Sequence, residues 1–531
     1  MSTIFGLYGG AHDSAAVYIK DGEIISCIEE ERINRIKSGN NYFSLPNESL
    51  TTIENVSGLN VSEVDHVTFA THTPNEFILN RVKRDVDVYD HHQCHAAGAY
   101  YTSGMEGKVL TVIIDGGGTD NSNTVWLCED GEMKVVHSDL FASGGTIAQV
   151  WGYVLHGIHE LDKNGNFVWK MCKDEGKLMG MAPDGEYDEM VYNALKDVIS
   201  YDSLRFFPAN TIGKATFLSE ALRRSGYFST KQGISNFAHN LQLVTEEIII
   251  EYLHDLHALY PEYDKIAVAG GLFANVKLNQ KINQLDWVKE IFVFPAMSDS
   301  GLALGAAILK SKELGEGFEK PIKLNNVHFG LSYSDEEVYK ASLNFEVERT
   351  EYVPSEMAKE INDGKIIGWF QDGFEYGPRA LGSRSILVRP TNPETHRILN
   401  ERLKRYDTMP FAPMVMEEYF NEIFVEDKSK YTAEFMTMCY DTKEEWIEKI
   451  PAVIQKSDKT ARPQIVRKEA IPKYWEIVDE YRKLSGIPVL LNTSFNAHNE
   501  PIINTPQNAL KHLVFGVIDK LIIGNYVYAK K

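Results

Sequence analysis

Two histidines four residues apart, His91 and His95, stand in the stretch Tyr89–Tyr101, YDHHQCHAAGAYY. On a helix that spacing stacks two imidazoles on one face, one turn apart. This is the arrangement a divalent metal needs from two ligands on one element. Further on, an apolar run ends at Asp115 before the glycines Gly116, Gly117 and Gly118, and Asp299 stands near the start of another helical pattern. Active-site acids of open α/β sheets favour the strand end that Asp115 occupies. His91, His95, Asp115 and Asp299 make a mixed imidazole and carboxylate set suited to zinc, iron(II) or manganese(II). The histidine pair taken alone reads equally as two core or surface histidines beside unrelated acids. Loop N–H groups such as that of Gly117 can cradle phosphate oxygens, so a metal and a phosphate ester are expected at one site.

Other groups have chemical potential. His12 lies in the first glycine loop (His12-Asp13-Ser14), where it could move a proton near a phosphate or acyl group or simply be a turn histidine in water. Gly270, Gly271 and Asn275 follow a strand pattern. Their bare backbone could approach a nucleotide, or it could serve close helix–strand packing. Arg379, Arg384, Arg389, Lys404 and Arg462 populate the second half. Guanidinium forks match phosphate and carbamate-like groups; a solvated basic face is the other reading. Two arginines in one glycine-proline loop, GPRALGSRS, favour an anion site. Ser494 and Asn496 lie in NTSFN after an apolar strand pattern, where they could bind a ligand or cap a helix. Lys177, in GKLMGMAP, is a further possible contact.

The elements that must position these groups are legible. Ile4–Glu30 reads as strand, Gly9-Gly10 loop, strand, Asp21-Gly22 turn, strand; Thr111–Val136 repeats it with Asp130-Gly131, if the second loop carries two extra residues. Asp-Gly pairs are strong hairpin signals. Strand-to-helix junctions at Ile266–Ala269 and Ile291–Phe294 complete an alternating α/β pattern. A boundary is expected near 315–335, where Gly315, Gly317, Pro321 and Asn325-Asn326 interrupt the periodicity.

With 531 residues, more than one domain is the expectation. The net charge of −21 argues against broad binding to nucleic-acid backbone. Five scattered cysteines imply a reducing compartment rather than a disulfide framework. No basic leader and no apolar run near the roughly 20 residues of a membrane span is evident. A cytoplasmic protein is expected, with no membrane partner.

HDSAA at His12, HHQCHAA at His91, GKLMGMAP at Gly176 and SDSGLALGAA at Ser298 resemble the carbamoyltransferase family of nodulation and antibiotic biosynthesis (the NodU/CmcH type). So do GPRALGSRS at Gly377, PFAP at Pro410, NTSFN at Asn492 and EPI at Glu500. The resemblance runs in order over nearly the whole chain. It implies a duplicated actin-like ATPase-fold domain over 1–328 and a YrdC-like α/β domain over 329–531. The implied reaction turns ATP, accompanied by magnesium, and carbamoyl phosphate into carbamoyl-adenylate. The carbamoyl group then passes to a hydroxyl of a small acceptor. By motif, His91, His95, Asp115 and Asp299 would hold the metal, iron(II) by analogy, with His12 near the transferring group. Gly117, Gly270, Gly271 and Asn275 would contact the adenylate; Arg379, Arg384, Lys404, Arg462, Ser494 and Asn496 would bind ATP and carbamoyl phosphate, with Arg379 and Lys404 catalytic.

The chain departs from the family pattern at Met409, where arginine is common before PFAP, and at Asn499, where glycine is common before EPI. Arg405 could substitute for the missing cation. Competing readings are carbamoyl modification of a hydroxylated nucleotide or nucleic acid, an ATP-gated chaperone-like module, and a sugar kinase; the last two need neither the histidine pair nor the arginine-rich second half. A homodimer is possible.

Overall fold

The computed structural model describes residues 2–10, 12–38, 45–70, 80–118, 120–140, 146–158, 174–207, 211–404, 411–426, 428–497 and 500–531. Cys172, Arg405, Met409 and Asn499 lie outside the described residues.

The repeat read from the sequence is a repeat of sheet topology. Strands β1 (Thr3–Tyr8), β2 (Ala15–Lys20), β3 (Glu23–Glu29), β4 (His66–Ala70) and β5 (Asp87–Tyr89) form a five-stranded sheet ordered β3-β2-β1-β4-β5. Strands β6 (Val109–Ile114), β7 (Asn121–Glu129), β8 (Glu132–Leu140), β9 (Lys265–Ala269) and β10 (Glu290–Val293) form the second, ordered β8-β7-β6-β9-β10. In both, the first three strands are antiparallel and the last two run parallel to the first. This is the duplicated sheet expected of an actin-like first half. Both hairpins turn on the residues read as turns: Asp21 and Gly22 have φ of 53° and 80°, Asp130 and Gly131 of 50° and 81°. Positive φ at both central residues matches the twist of the flanking strands.

Helices α1 (His91–Tyr101), α2 (Lys231–Leu259), α3 (Val276–Asn283) and α4 (Leu302–Glu313) cover these sheets. The strands α1 and α4 pack on are apolar along both faces, as sheets sandwiched between helices require; β6 is buried at every position. No helix among the described residues is long and apolar enough to cross a membrane.

The second half is built on one mixed eight-stranded sheet. Its strands are β11 (Val347–Glu351), β12 (Ile367–Phe370), β13 (Arg384–Val388), β14 (Ala412–Met416), β15 (Gln464–Val466), β16 (Val489–Ser494), β17 (Lys520–Ile523) and β18 (Tyr526–Lys530), in the order β11-β18-β17-β12-β13-β16-β14-β15. The β12–β13 connection is the GPRALGSRS loop. A buried carboxylate shapes it: Glu375 Oε1 accepts the N–H groups of Leu381, Ser383 and Arg384 at 2.9, 2.8 and 2.8 Å.

The two halves meet through a buried ionic joint. Arg32, fully buried, donates through Nη2 to the Gly377 carbonyl at 2.7 Å and through Nε to Glu29 Oε2 at 3.2 Å. Burial pushes the Glu29 carboxyl up, and the adjacent Arg32 charge opposes that rise. Next to it, the Tyr376 hydroxyl donates to the Ser300 carbonyl, one residue from Asp299. The loop carrying Asp299 and the loop carrying Arg379 are therefore fastened to each other. Replacing Arg32 by Met removes the donor to the buried Gly377 carbonyl and the charge that favours the ionised Glu29 carboxyl. The expected cost is about 3–5 kcal/mol, measured as a fall in the urea unfolding midpoint; an unchanged midpoint would show that the joint contributes nothing.

Candidate active site

The histidine helix begins where its cap places it. The Asp90 side chain accepts the Gln93 N–H at 2.9 Å, so α1 starts at His91. It lies against α4 at backbone contact: a Cβ on Gly305 would come within 2.0 Å of the Cys94 carbonyl oxygen. Asp299 stands in the single turn that opens α4, so this close packing brings it to the histidines. Asp115 arrives from the end of β6. His91 Nε2 is 3.5 Å from Asp115 Oδ2 and 3.6 Å from Asp299 Oδ1, and His95 Nε2 is 3.6 Å from Asp299 Oδ1. All four residues are buried, and one donor atom from each lies within 4.8 Å of the rest.

Two glycine loops hold Asp115 in place. Gly271 N–H donates to Oδ1 at 2.6 Å and Gly117 N–H to Oδ2 at 3.2 Å. Gly270 has φ of 100°, and a Cβ there would lie 2.3 Å from the Ile114 carbonyl oxygen. Only glycine allows β6 and the 270–271 turn to approach this closely. Burial works against the Asp115 charge, but His91, His95 and the Gly271 N–H outweigh it and hold the carboxyl well below its usual range. At Asp299 burial is likewise outweighed, by His12, His91 and His95.

Two more residues complete the rim. Tyr8, buried at the end of β1, donates its hydroxyl to Asp299 Oδ2 at 2.5 Å. In the repeat Tyr8 occupies the place of Asp115, because Gly9 matches Gly116. That register was the available signal, and a reading from residue type alone missed it. His12 is at the open edge: its side chain is 32% exposed, with Nε2 4.0 Å from Asp299 Oδ2 and Nδ1 3.3 Å from Asp13 Oδ2.

The cluster has the chemistry of a divalent-cation site. Among the described residues His95 Nε2 and Asp299 Oδ1 have no hydrogen-bond partner although both are sealed from solvent. Two carboxylates buried against imidazoles call for a cation. Ligand bonds of about 2.0–2.2 Å place neighbouring donors roughly 3–4 Å apart, which is the spacing found. The third histidine of the run, His92, stands aside. Its Nδ1 is 3.3 Å from Thr124 Oγ1, and burial together with His91 pushes it down to about 3, so it stays neutral.

Asn275 is engaged elsewhere. Its side chain accepts the Leu278 N–H at the start of α3 and donates to Gln242 Oε1 at 2.8 Å. Lys177 pairs with Asp174 at 2.8 Å.

In the second half the expected cations separate into two kinds. Arg384, expected at the ligand, directs its guanidinium to carbonyls of the chain: Gln371 at 2.6 Å, Leu331 at 3.1 Å and Asp372 at 3.2 Å, with its charge 3.5 Å over the Phe370 ring. It is a structural arginine that braces the loop it belongs to. Arg389 likewise donates to the Asn362 carbonyl at 2.8 Å. Asn496 donates to the Ala497 and Glu500 carbonyls at 3.0 and 2.7 Å. Ser494 ends β16, and Lys404 is exposed beside 405–410, outside the described residues.

Arg379 and Arg462 are the other kind. Among the described residues neither has a hydrogen-bond or ion-pair partner, and Arg379 Nε is sealed from solvent. Burial, then the neighbouring Arg462, works against the Arg379 charge. Since a guanidinium does not give up its proton in proteins, the pair creates a demand for an anion.

These two centres are the setting for the comparisons with known proteins. Residues 3–78 and 75–308 match the family profile described as carbamoyltransferase N-terminus, and residues 358–530 match carbamoyltransferase C-terminus. The chain is 31% identical to the nodulation protein NolNO of Sinorhizobium fredii, over 98% of this chain and 79% of that one. It is 27% identical to the 3'-hydroxymethylcephem-O-carbamoyltransferase of Streptomyces clavuligerus, over 67% of this chain and 65% of that one. Among solved structures it is similar to component A of (R)-2-hydroxyglutaryl-CoA dehydratase from Acidaminococcus fermentans, at a TM-score of 0.39 and 16% identity over 59% of this chain and 100% of that one. With both halves matched in order, the chain belongs to the carbamoyltransferase family.

Proposed function

We propose that this carbamoyltransferase is ATP-dependent and works in two steps at the two centres, with 1–328 as the transfer domain and 329–531 as the YrdC-like activating domain. The observation that carries the reading is the pairing of a buried two-carboxylate, two-histidine cluster with two neighbouring arginines that have no ion-pair partner among the described residues. One centre calls for a cation and the other for an anion.

In the first step water cleaves carbamoyl phosphate to carbamate and phosphate. A carbamate oxygen attacks the α-phosphorus of ATP, and diphosphate leaves. Arg379 and Arg462 offset the repulsion between the two phosphorylated substrates. In the second step an acceptor hydroxyl attacks the carbonyl carbon of carbamoyl-adenylate. The bond to the AMP oxygen breaks, AMP leaves with that electron pair, and His12 takes the hydroxyl proton. His12 is suited to this because it stands at the open edge of the cluster with its ring beside Asp13. A divalent ion held by His91, His95, Asp115 and Asp299 would act as a Lewis acid toward the adenylate oxygens; iron(II), manganese(II) and zinc are the candidates. Gly117, Gly270 and Gly271 stiffen that set through Asp115. The O-carbamoyltransferase named among the relatives supports a small hydroxylated acceptor, and the net charge of −21 weighs against nucleic acid.

Purified protein given ATP should release AMP and diphosphate only when carbamoyl phosphate is present. ADP release without that dependence would overturn the reading in favour of a kinase or chaperone. Arg379→Ala should lower carbamoyl-phosphate-dependent AMP formation by about 10²–10³ without reducing bound metal. His95→Ala should lower bound divalent metal, read by elemental analysis of the purified protein; full occupancy in that variant would remove His95 from the ligand set.

A further inference from the structure

A lysine from the first half stands at the second half's anion centre. Lys277 is the second residue of α3, and α3 is docked on the second half by its backbone and polar side chains. Cys439 N–H donates to the Val276 carbonyl at 3.1 Å, and Asn279 Nδ2 donates to the Thr437 carbonyl at 2.7 Å. Lys277 Nζ reaches Asp458 Oδ2 at 2.9 Å, in the turn four residues before Arg462. Both partners are mostly buried, with side chains 19% and 24% exposed. Tyr440 pairs with Ala461 in an antiparallel ladder, which sets Cys439 opposite Arg462, while the Cys439 N–H is bonded to the residue before Lys277. Burial raises the Cys439 thiol, and Lys277, Arg462 and Arg379 each oppose that rise.

The Lys277–Asp458 pair is built so that the lysine has capacity to spare. Asp458 Oδ1 is committed to its own turn, accepting Thr460 N–H at 3.1 Å and Thr460 Oγ1 at 2.8 Å. Its position therefore does not depend on Lys277. The lysine has three donors. Two are used, on Asp458 and on Gln280 Oε1 at 3.0 Å. Asp458 thus holds the ammonium beside the arginine pair without neutralising that pair.

We propose that Lys277 is a ligand of the phosphoryl group of carbamoyl phosphate, so that the anion site is completed across the junction of the two halves by a residue of the first. The proposal rests on the two-step reading above. It adds that the activating centre is incomplete without α3. The segment that begins at Gly271, whose N–H holds Asp115, then serves both centres: one end fixes a metal-ligand carboxylate and the other supplies a cation to the phosphate. The adenylate would form next to the segment that leads to the cluster where it is consumed.

The test compares two substitutions that break the same ion pair. Carbamoyl phosphate binding to the full-length protein is measured by calorimetry, and its KM is measured in AMP formation, for wild type, Lys277→Met, Lys277→Arg and Asp458→Asn. A phosphoryl ligand predicts that Lys277→Met weakens binding and raises KM roughly ten- to a hundredfold, that Lys277→Arg largely restores both, and that Asp458→Asn leaves them unchanged or tightens them. If Asp458→Asn weakens binding as much as Lys277→Met does, the pair is only a tie between the halves and the proposal is overturned. Unchanged binding in Lys277→Met overturns it too. Wild-type protein that binds no carbamoyl phosphate and forms no AMP would refute the two-step reading and this inference with it. Wild-type activity with an inert Lys277→Met change refutes the inference alone.

Discussion

Buried charge must be answered by opposite charge, and among the described residues two clusters concentrate charge in unusual ways. Two carboxylates meet two imidazoles at the strand ends of the first half, with His95 Nε2 and Asp299 Oδ1 close to each other yet without a hydrogen-bond partner among the described residues. Two guanidiniums meet in the second half with none. Elsewhere the chain spends hydrogen bonds freely to avoid this condition. Arg384 takes carbonyls from several segments, and Glu375 takes three backbone N–H groups. The contrast is between charges whose groups are bound into the backbone and charges that face one another.

Keeping these clusters intact requires backbone precision, and the duplicated sheets supply it. The first and sixth strands end side by side in the fold's internal repeat. One contributes Tyr8 and the other Asp115. Helices α1 and α4 close on each other at glycine, which brings Asp299 to within reach of both histidines. A side chain at Gly270 or Gly305 would push apart the segments that carry the ligands. The glycines at these places are thus part of the site although they have no side chain to offer.

The two centres are not independent attachments to a scaffold. Arg32 joins β3's end to the loop that bears Arg379, and Tyr376 reaches the residue next to Asp299. On another side, the short segment Gly271–Lys277, which leads into α3, runs from the glycine turn that holds Asp115 to the turn that precedes Arg462. On the proposed two-step reaction, a hydrolysis-prone intermediate is best handled where formation and use are held in one fixed frame, and these two junctions join the parts concerned.

Much of this was legible from residue order. The Asp-Gly turns need positive φ at both positions, so the hairpins and the repeat followed from local backbone chemistry. The His91–His95 spacing and the strand-end position of Asp115 followed from helix and sheet periodicity, and the motifs carried the family. Residue order could not distinguish Arg384 from Arg379: both sit in one short loop, both are arginine, and only packing decides which guanidinium meets carbonyls and which meets another cation. It also could not assign Lys277, whose partner lies far along the chain in the other half, nor Arg32, whose acceptor is a backbone carbonyl with no sequence signature. The sequence by itself determined the elements and the kinds of ligand, because those depend on neighbours along the chain. Tertiary structure alone decided which charges are left uncompensated, because compensation depends on distance in space.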